Sequence, residues 1–362
     1  MNKSPKVLIL VPAEMVHTPG GIKNYYQVIK DYFSLPVFYS YRGARKWPER
    51  GNLFFECLRL LKDYISFFNN VIVKNIQIVH INTSLASRSV FRDLIFAIYA
   101  KILRKKCIVF FHGWSNEAEE LMKYKYKWLF KLYLKKTDAL ITLSQKSKNT
   151  LKSMGYKKNI YLETTLVDDK LLNEFIINKK LQKSYNIITI LFLARIEKEK
   201  GIFDTIEACD LLIQQGYSIR LLIAGSGRAE KEVLEKIKNK ESIEFLGYVS
   251  GKDKSKTYIE SDLYVLPSYT EGMPITVLEA MAFGLPVIVT PVGGLKDIIK
   301  EGVNGYFVQF GDSSMLAETI IKLIANINLM NKMALYNYND AKKYYASSVV
   351  KRIENIYMEL LE

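Results

Sequence analysis

Cysteine is scarce: Cys57, Cys107 and Cys209 are the only three in 362 residues, with no CxxC and no paired spacing. That excludes a disulfide framework and a cysteine zinc site, and it predicts three reduced core cysteines in a cytoplasmic protein. Histidine is equally rare, at positions 17, 80 and 112, and no Asp-x-Asp metal signature occurs. No stretch approaches the roughly 18 apolar residues that a membrane span requires. The first apolar run, Val7 to Val11, is soon interrupted by Glu14 and by Pro19-Gly20-Gly21, too early for a signal peptide. The chain therefore reads as neither secreted by a recognisable signal nor membrane-spanning.

What is present is a globular composition, 49% apolar and 25% charged, at a length that predicts two domains. The net charge of +15 is unevenly placed. Residues 1–175 hold 29 Lys and Arg against 14 Asp and Glu, whereas residues 176–362 hold 23 of each. All of the excess sits in the first half, where it would attract an anionic membrane surface or a polyanion. No zinc-finger, RRM or helix-turn-helix pattern accompanies it, so nucleic acid is not the expected partner.

Short apolar runs alternate with longer amphipathic stretches, the pattern of βαβ units feeding a parallel sheet. Expected strands in the first half are Val7–Val11, Ile76–Asn82, Cys107–His112 and Ala139–Ser144, with helices at Ile22–Phe33 and Val90–Lys105. In the second half they are Ile188–Ala194, Ile219–Ala224, Ile243–Phe245, Leu263–Leu266 and Pro286–Thr290. A polar, Lys- and Asn-rich stretch at 167–186 separates the halves, so the pattern predicts two doubly wound α/β domains in tandem.

In open α/β sheets ligands bind past the carboxyl ends of strands, where helix N-termini offer free N–H groups. After ITILFLA come Arg195 and then Lys200-Gly201. Two cations and a tight-turn glycine suit a diphosphate, and standing alone a solvated charged loop explains them as well. The most specific segment is Tyr269 to Glu279, YTEGMPITVLE. Pro274 fits a helix start, where its missing N–H would be unpaired anyway. Gly272 and Met273 then present backbone N–H groups to an anion, with Glu271 before the helix and Glu279 within it. Two carboxylates flanking an anion-binding helix start suit a sugar nucleotide.

The segments FLARIEKEKG, LLIAGSG, IEFLGYVS, DLYVLPSYTEGMPITVLEAMAFGLPVIVTPVGGLKDII and EGVNGYFV, with PGGIKNY and FFHGW in the first half, resemble glycosyltransferase family 4. This is a retaining, metal-independent, group 1 type family with the GT-B fold, and the resemblance covers nearly the whole chain. It implies an α/β GT-B architecture of two Rossmann-like doubly wound parallel-sheet domains facing a central cleft. Residues 1–172 would be an acceptor domain, joined by the C-terminal helix 345–362, and residues 173–344 a donor domain. The implied donor is a nucleotide-diphosphate sugar of UDP or GDP type, with no cofactor and no metal, and the implied acceptor is a glycan or lipid-linked glycan.

Carried over residue by residue, the resemblance has Arg195 and Lys200 bind the donor diphosphate. Glu279 would hold the ribose and Glu271 contact the donor sugar, while the backbone around Gly272, Met273, Pro274, Ile275 and Thr276 completes the cradle. Gly247, Tyr248 and Val249 match the base pocket. Gly20 and Gly21 match the glycine loop that approaches the phosphates, with an ordinary strand-to-helix turn as the rival explanation. His112 matches a histidine near the transferred sugar, with a core histidine as its rival, and His17 and His80 read as structural. The implied activity is glycosyl transfer in cell-surface polysaccharide or glycolipid synthesis. The alternatives are another GT-B sugar-nucleotide enzyme, such as a glucan synthase or epimerase, and a non-enzymatic basic module for membrane or nucleic acid.

Leu121–Lys136 interleaves six lysines with Tyr124, Tyr126, Trp128, Phe130 and Tyr133, which suits a helix at a lipid headgroup surface. Asn52–Val73 is a second candidate of this kind. Core-packed helices with solvated basic faces explain both equally well, and the membrane reading predicts peripheral attachment at the inner face of the cell membrane.

Overall fold

The computed structural model describes residues 4–12, 21–42, 53–85, 87–183 and 186–362. It divides into two compact units, Met1–Thr164 with Ala346–Glu362, and Thr165–Tyr345.

The first unit holds β1 (Val7–Pro12), β2 (Val37–Arg42), β3 (Ile78–Leu85), β4 (Lys106–Trp114), β5 (Ala139–Thr142) and β6 (Ile160–Leu162). All pair in parallel in the order β2-β1-β3-β4-β5-β6. The central strands are Val-, Ile- and Leu-rich because helices cover both faces of such a sheet. Leu8, Leu10, Val79, Ile81 and Val109 pack with Phe67, Phe96 and Phe130, each contributing roughly 1.5–3 kcal/mol by burial. The helix Ala346–Glu359 belongs to this unit through side-chain bonds. Arg352 grips Glu163 with two nitrogens (Nε–Oε1 2.9 Å, Nη2–Oε2 2.8 Å), and Glu354 Oε1 accepts from the Ser34 and Leu35 amides at 2.6 and 2.9 Å.

The second unit holds β7 (Ile188–Leu193), β8 (Ile219–Ala224), β9 (Ile243–Gly247), β10 (Leu263–Leu266), β11 (Val287–Val289) and β12 (Gly305–Phe307). Their order is β12-β11-β10-β7-β8-β9, again all parallel. The chain passes between units at 164/165, ahead of the expected 172/173. Residues 165–172 are held in the second unit by a Val167–Tyr345 bridge and by Ser255 Oγ donating to Leu171 O at 2.7 Å.

Three strands lie outside the expected set: β2, β6 and β12. Each is an edge strand, and an edge strand need not be a continuous apolar run, which is the signal that marks its buried neighbours. Two expectations are corrected. Leu121–Lys136 is not one helix but parts of two, Asn116–Lys123 and Lys127–Lys135, broken at Tyr124–Tyr126. Cys57 is exposed on the helix Leu53–Val73, while Cys107 and Cys209 are buried as expected. Among the described residues no helix is long and apolar enough to cross a membrane.

Candidate active site

In the second sheet the strand order reverses between β7 and β10, and a ligand crevice lies past the carboxyl ends of strands at such a switch point. Both of the informative sequence segments leave from there. After β7 a short turn, Lys198–Lys200, ends at Gly201 with φ 74°. A Cβ on Gly201 would stand 2.2 Å from Pro267 O, so glycine lets this turn lie directly against the end of β10. The two loops are then stitched: Tyr269 N donates to Glu199 O at 2.9 Å, and Ser268 Oγ lies 3.1 Å from the same oxygen.

That stitching brings Lys200 to Glu271, 71 residues away in sequence, at Nζ–Oε1 2.6 Å, with a second contact to Thr270 O at 3.2 Å. The pair is nearly buried, with side chains 12% and 10% exposed. From behind, Gly294 N donates to Gly272 O at 2.6 Å, and a Cβ on Gly293 (φ 56°) would stand 2.1 Å from Glu271 O. The Gly293-Gly294 step is thus the seat of the Glu271–Gly272 peptide, a role its sequence alone did not disclose.

Pro274 occupies the N-cap of the helix Ile275–Ala282 in extended conformation, and no side chain caps that helix. Among the described residues no side chain accepts from its first-turn N–H groups, which lie at a positive dipole end suited to an anion. Met273 is turned into the core, and its carbonyl accepts from Thr165 Oγ1 at 3.1 Å. The Tyr264 hydroxyl bridges Leu193 O (2.9 Å) and Thr276 Oγ1 (2.7 Å), tying the end of β7 to the helix start.

Glu279 lies one turn deeper and is 3% exposed. Lys254 Nζ stands 2.6 Å from its Oε1, and the Tyr258 hydroxyl donates to Oε2 at 2.9 Å. Burial and the adjacent carboxylate hold Tyr258 well above the ordinary tyrosine range. Sequence reasoning missed Lys254 and Tyr258; the available signal was their spacing of four, one face of the helix Gly251–Glu260. Arg195 is not drawn into this cluster. Its side chain is 69% exposed and pairs with Glu197 at 3.1 Å.

Gly247 (φ 66°) accepts from Gly225 N at 2.7 Å, and Gly225 (φ 137°) lies against Ala194 O, 1.9 Å from where its Cβ would be. Tyr248 and Val249 border a hollow of about 460 Å³ whose walls are half charged, with Arg220, Glu244, Asp253, Lys256 and Glu260 beside Leu222 and Leu246, and Tyr248 is exposed.

In the first unit His112 sits at the end of β4. Asn82 Nδ2 donates to Leu10 O (3.0 Å), so Asn82 Oδ1 is an acceptor, and it takes His112 Nε2–H at 2.8 Å and the Tyr26 hydroxyl at 2.7 Å. His112 is thereby set as the Nε2–H tautomer with Nδ1 the lone-pair nitrogen. His80, buried behind it, lies 2.6 Å from the Tyr357 hydroxyl through Nδ1. Gly21 opens the helix Gly21–Ile29, while Gly20 and His17 lie outside the described residues.

Burial holds His80 down to about 3, and burial followed by the neighbouring His80 holds His112 well below the usual imidazole value. Both are neutral when folded and titrate near 6.5 when unfolded. Their stabilisation is complete above that pH and is lost as pH falls, at about 1.4 kcal/mol per pH unit per histidine. The urea midpoint is expected to drop between pH 7 and 5, and less steeply in His80→Gln; a flat wild-type profile contradicts this.

Each unit carries a six-stranded parallel sheet, and the second places a cation–carboxylate pair and a helix start at its switch point, an arrangement suited to binding an anionic ligand. HepE from Anabaena, solved in complex with UDP, superposes at a TM-score of 0.73 and 18% identity, covering 98% of this chain and 100% of that one. The family model for glycosyl transferases group 1 matches residues 173–340, and that for glycosyltransferase family 4 matches residues 16–168. The chain belongs to the family 4, group 1 glycosyltransferases. A capsular polysaccharide biosynthesis glycosyltransferase of Staphylococcus aureus is 27% identical over 230 residues, 61% of this chain and 58% of that protein. An amylovoran biosynthesis glycosyltransferase of Erwinia amylovora is 27% identical over 259 residues, 69% of this chain and 61% of that protein. The match thus spans about three-fifths of the length of these relatives.

Proposed function

We propose that this chain is a retaining glycosyltransferase that moves a sugar from a nucleotide-diphosphate donor, of UDP or GDP type, to a glycan or lipid-linked glycan acceptor in cell-surface polysaccharide synthesis. The observation that carries the reading is the nearly buried Lys200–Glu271 pair beside the first-turn N–H groups of the helix Ile275–Ala282. A diphosphate there meets a cation and a positive helix end, and a sugar hydroxyl meets a carboxylate. The relatives' roles in polysaccharide synthesis and the UDP complex of HepE support the class of donor and product.

The chemistry follows from charge placement. As the anomeric bond to the diphosphate breaks, negative charge grows on the leaving phosphate oxygen. Lys200 and the helix N–H groups stabilise that charge, and Arg195, exposed just after β7, joins them by leaving Glu197. The same oxygen accepts the acceptor hydroxyl's proton, which gives substitution from the front face and retention of configuration. Glu279 holds the ribose, Tyr248 and Val249 border the base, and His112 and the Gly20–Gly21 turn serve the transferred sugar and the phosphates. No metal is required, and the basic half attaches to an anionic leaflet.

Thermal shift and ligand-observed NMR against UDP, GDP, ADP and CMP in EDTA test this. One nucleotide family is expected to bind, at 100-fold excess over Kd stabilising by about 2.7 kcal/mol, and Arg195→Ala weakens it without unfolding an exposed position. No nucleotide binding, or binding rescued only by magnesium, refutes the reading.

A further inference from the structure

Five side chains from four elements of the first unit form one hydrogen-bonded chain that ends at His112. His80 and Asn82 stand two apart on β3 and so share a face of the sheet. Tyr26 comes from the helix Gly21–Ile29, His112 from β4 and Tyr357 from the last helix, Ala346–Glu359. Asn82 fixes the direction of every bond. Its Nδ2 donates to Leu10 O at 3.0 Å, and the reversed amide would set two acceptors face to face. Oδ1 is therefore the atom that meets the Tyr26 hydroxyl and His112 Nε2, and both donate to it. With its proton committed to Asn82, the Tyr26 oxygen accepts from His80 Nε2, 3.4 Å away. His80 Nδ1 is then the lone-pair nitrogen and takes the Tyr357 hydroxyl proton at 2.6 Å. Tyr26, His80, Asn82 and Tyr357 are all buried, so these bonds act in a low-dielectric setting that strengthens them.

At the open end of the chain His112 is half-buried, and its Nδ1 has no partner among the described residues and is not enclosed. Phe110 and Tyr25 fix the ring plane, their centroids 3.8 and 4.9 Å from that of the imidazole. The network thus presents one lone pair near the carboxyl end of β4. A lone pair accepts from a hydroxyl or an N–H and repels a phosphate oxygen.

We infer that Asn82 is a positioning residue for glycosyl transfer: it holds His112 in the Nε2–H form, so that Nδ1 accepts from a hydroxyl of the transferred sugar. Tyr26, His80 and Tyr357 fix the sense of the contact at Asn82. His112 accordingly serves the sugar and takes no part in holding the diphosphate. The sugar contact rests on the donor reading proposed above, whereas the tautomer is a property of the chain of bonds alone.

The test uses the full chain with ¹⁵N-imidazole histidine, its signals assigned through His17→Gln, His80→Gln and His112→Gln. Long-range ¹H–¹⁵N spectra tell a lone-pair nitrogen from a protonated one, and at pH 7 His80 and His112 are each expected as a single Nε2–H tautomer. Asn82→Leu keeps the size of the side chain and removes the acceptor, so His112 is expected to become a tautomer mixture. Tyr26→Phe keeps Asn82, so there His112 is expected to stay single while His80 mixes. UDP-glucose and GDP-mannose are then added, each beside its free nucleoside diphosphate. The sugar nucleotide that binds is expected to shift His112 Nδ1, and its diphosphate to leave that signal in place. Asn82→Leu is expected to weaken the sugar nucleotide roughly three- to tenfold, the worth of one hydrogen bond, with diphosphate affinity unchanged; a merely structural residue would move both or neither. A mixed tautomer at wild-type His112, an unaltered one in Asn82→Leu, or an Nδ1 signal that moves with diphosphate alone overturns the assignment. Should Asn82→Leu not fold, the wild-type spectra and Tyr26→Phe decide, and a mixed His112 in either overturns it. If neither sugar nucleotide binds, the donor reading falls and this role with it, even with His112 a single tautomer; if one binds and His112 is mixed, the donor reading stands and this role falls.

Discussion

Lys200→Ala is expected to lower donor turnover by roughly 10²–10³-fold, the usual consequence of removing one preorganised charge at the leaving group. Release of free nucleoside diphosphate from the donor into water measures it without a known acceptor. The variant also leaves Glu271, 10% exposed, without its cation, and breaking a nearly buried pair destabilises by about 3–5 kcal/mol. The two effects separate when urea unfolding gives the folded fraction of Lys200→Ala and turnover is expressed per folded molecule. The deficit is expected to persist after that normalisation. If it vanished, Lys200 would be a structural cation and not part of the leaving-group machinery.

Glu279 carries the second large effect. Its carboxylate is 4% exposed at the side chain and stands between Lys254 and the Tyr258 hydroxyl. Glu279→Ala strands a cation 20% exposed and a buried hydroxyl, and a loss of about 3–5 kcal/mol is expected in urea unfolding. Lys254→Met, by removing the opposite partner, is expected to destabilise as well. In the double variant Glu279→Leu/Lys254→Met most of that loss should disappear, because replacing both charges by apolar groups removes the desolvation cost. Nucleoside diphosphate affinity, by contrast, should stay lost in every variant that lacks Glu279. A double variant that bound nucleotide like wild type would take the ribose role away from this carboxylate.

The legible parts of the chain share one physical property. Strands such as Val7–Pro12 and Ile188–Leu193 are central in parallel sheets and covered by helices on both faces, so the run of apolar residues is itself the signal. Pro274 marks a helix start for a backbone reason that holds wherever the segment lies, since its missing N–H costs nothing there. What escaped was decided by neighbours distant in sequence. Cys57 sits in an apolar-looking stretch and is exposed because the helix Leu53–Val73 turns that position outward. The break at Tyr124–Tyr126 is invisible in an alternation of lysines and aromatics that supports one helix or two.

The sequence by itself determined two doubly wound parallel sheets, the family, and the two segments that leave β7 and β10, because apolar runs, turn glycines and helix-start prolines act locally. Only the tertiary structure decided that Lys200 meets Glu271, that Lys254 and Tyr258 hold Glu279, and that Arg195 stands apart with Glu197. The reason is that an ion pair carries no signature in either partner alone. Its geometry is set by the reversal of strand order between β7 and β10, which brings two loops more than 70 residues apart to one end of a sheet.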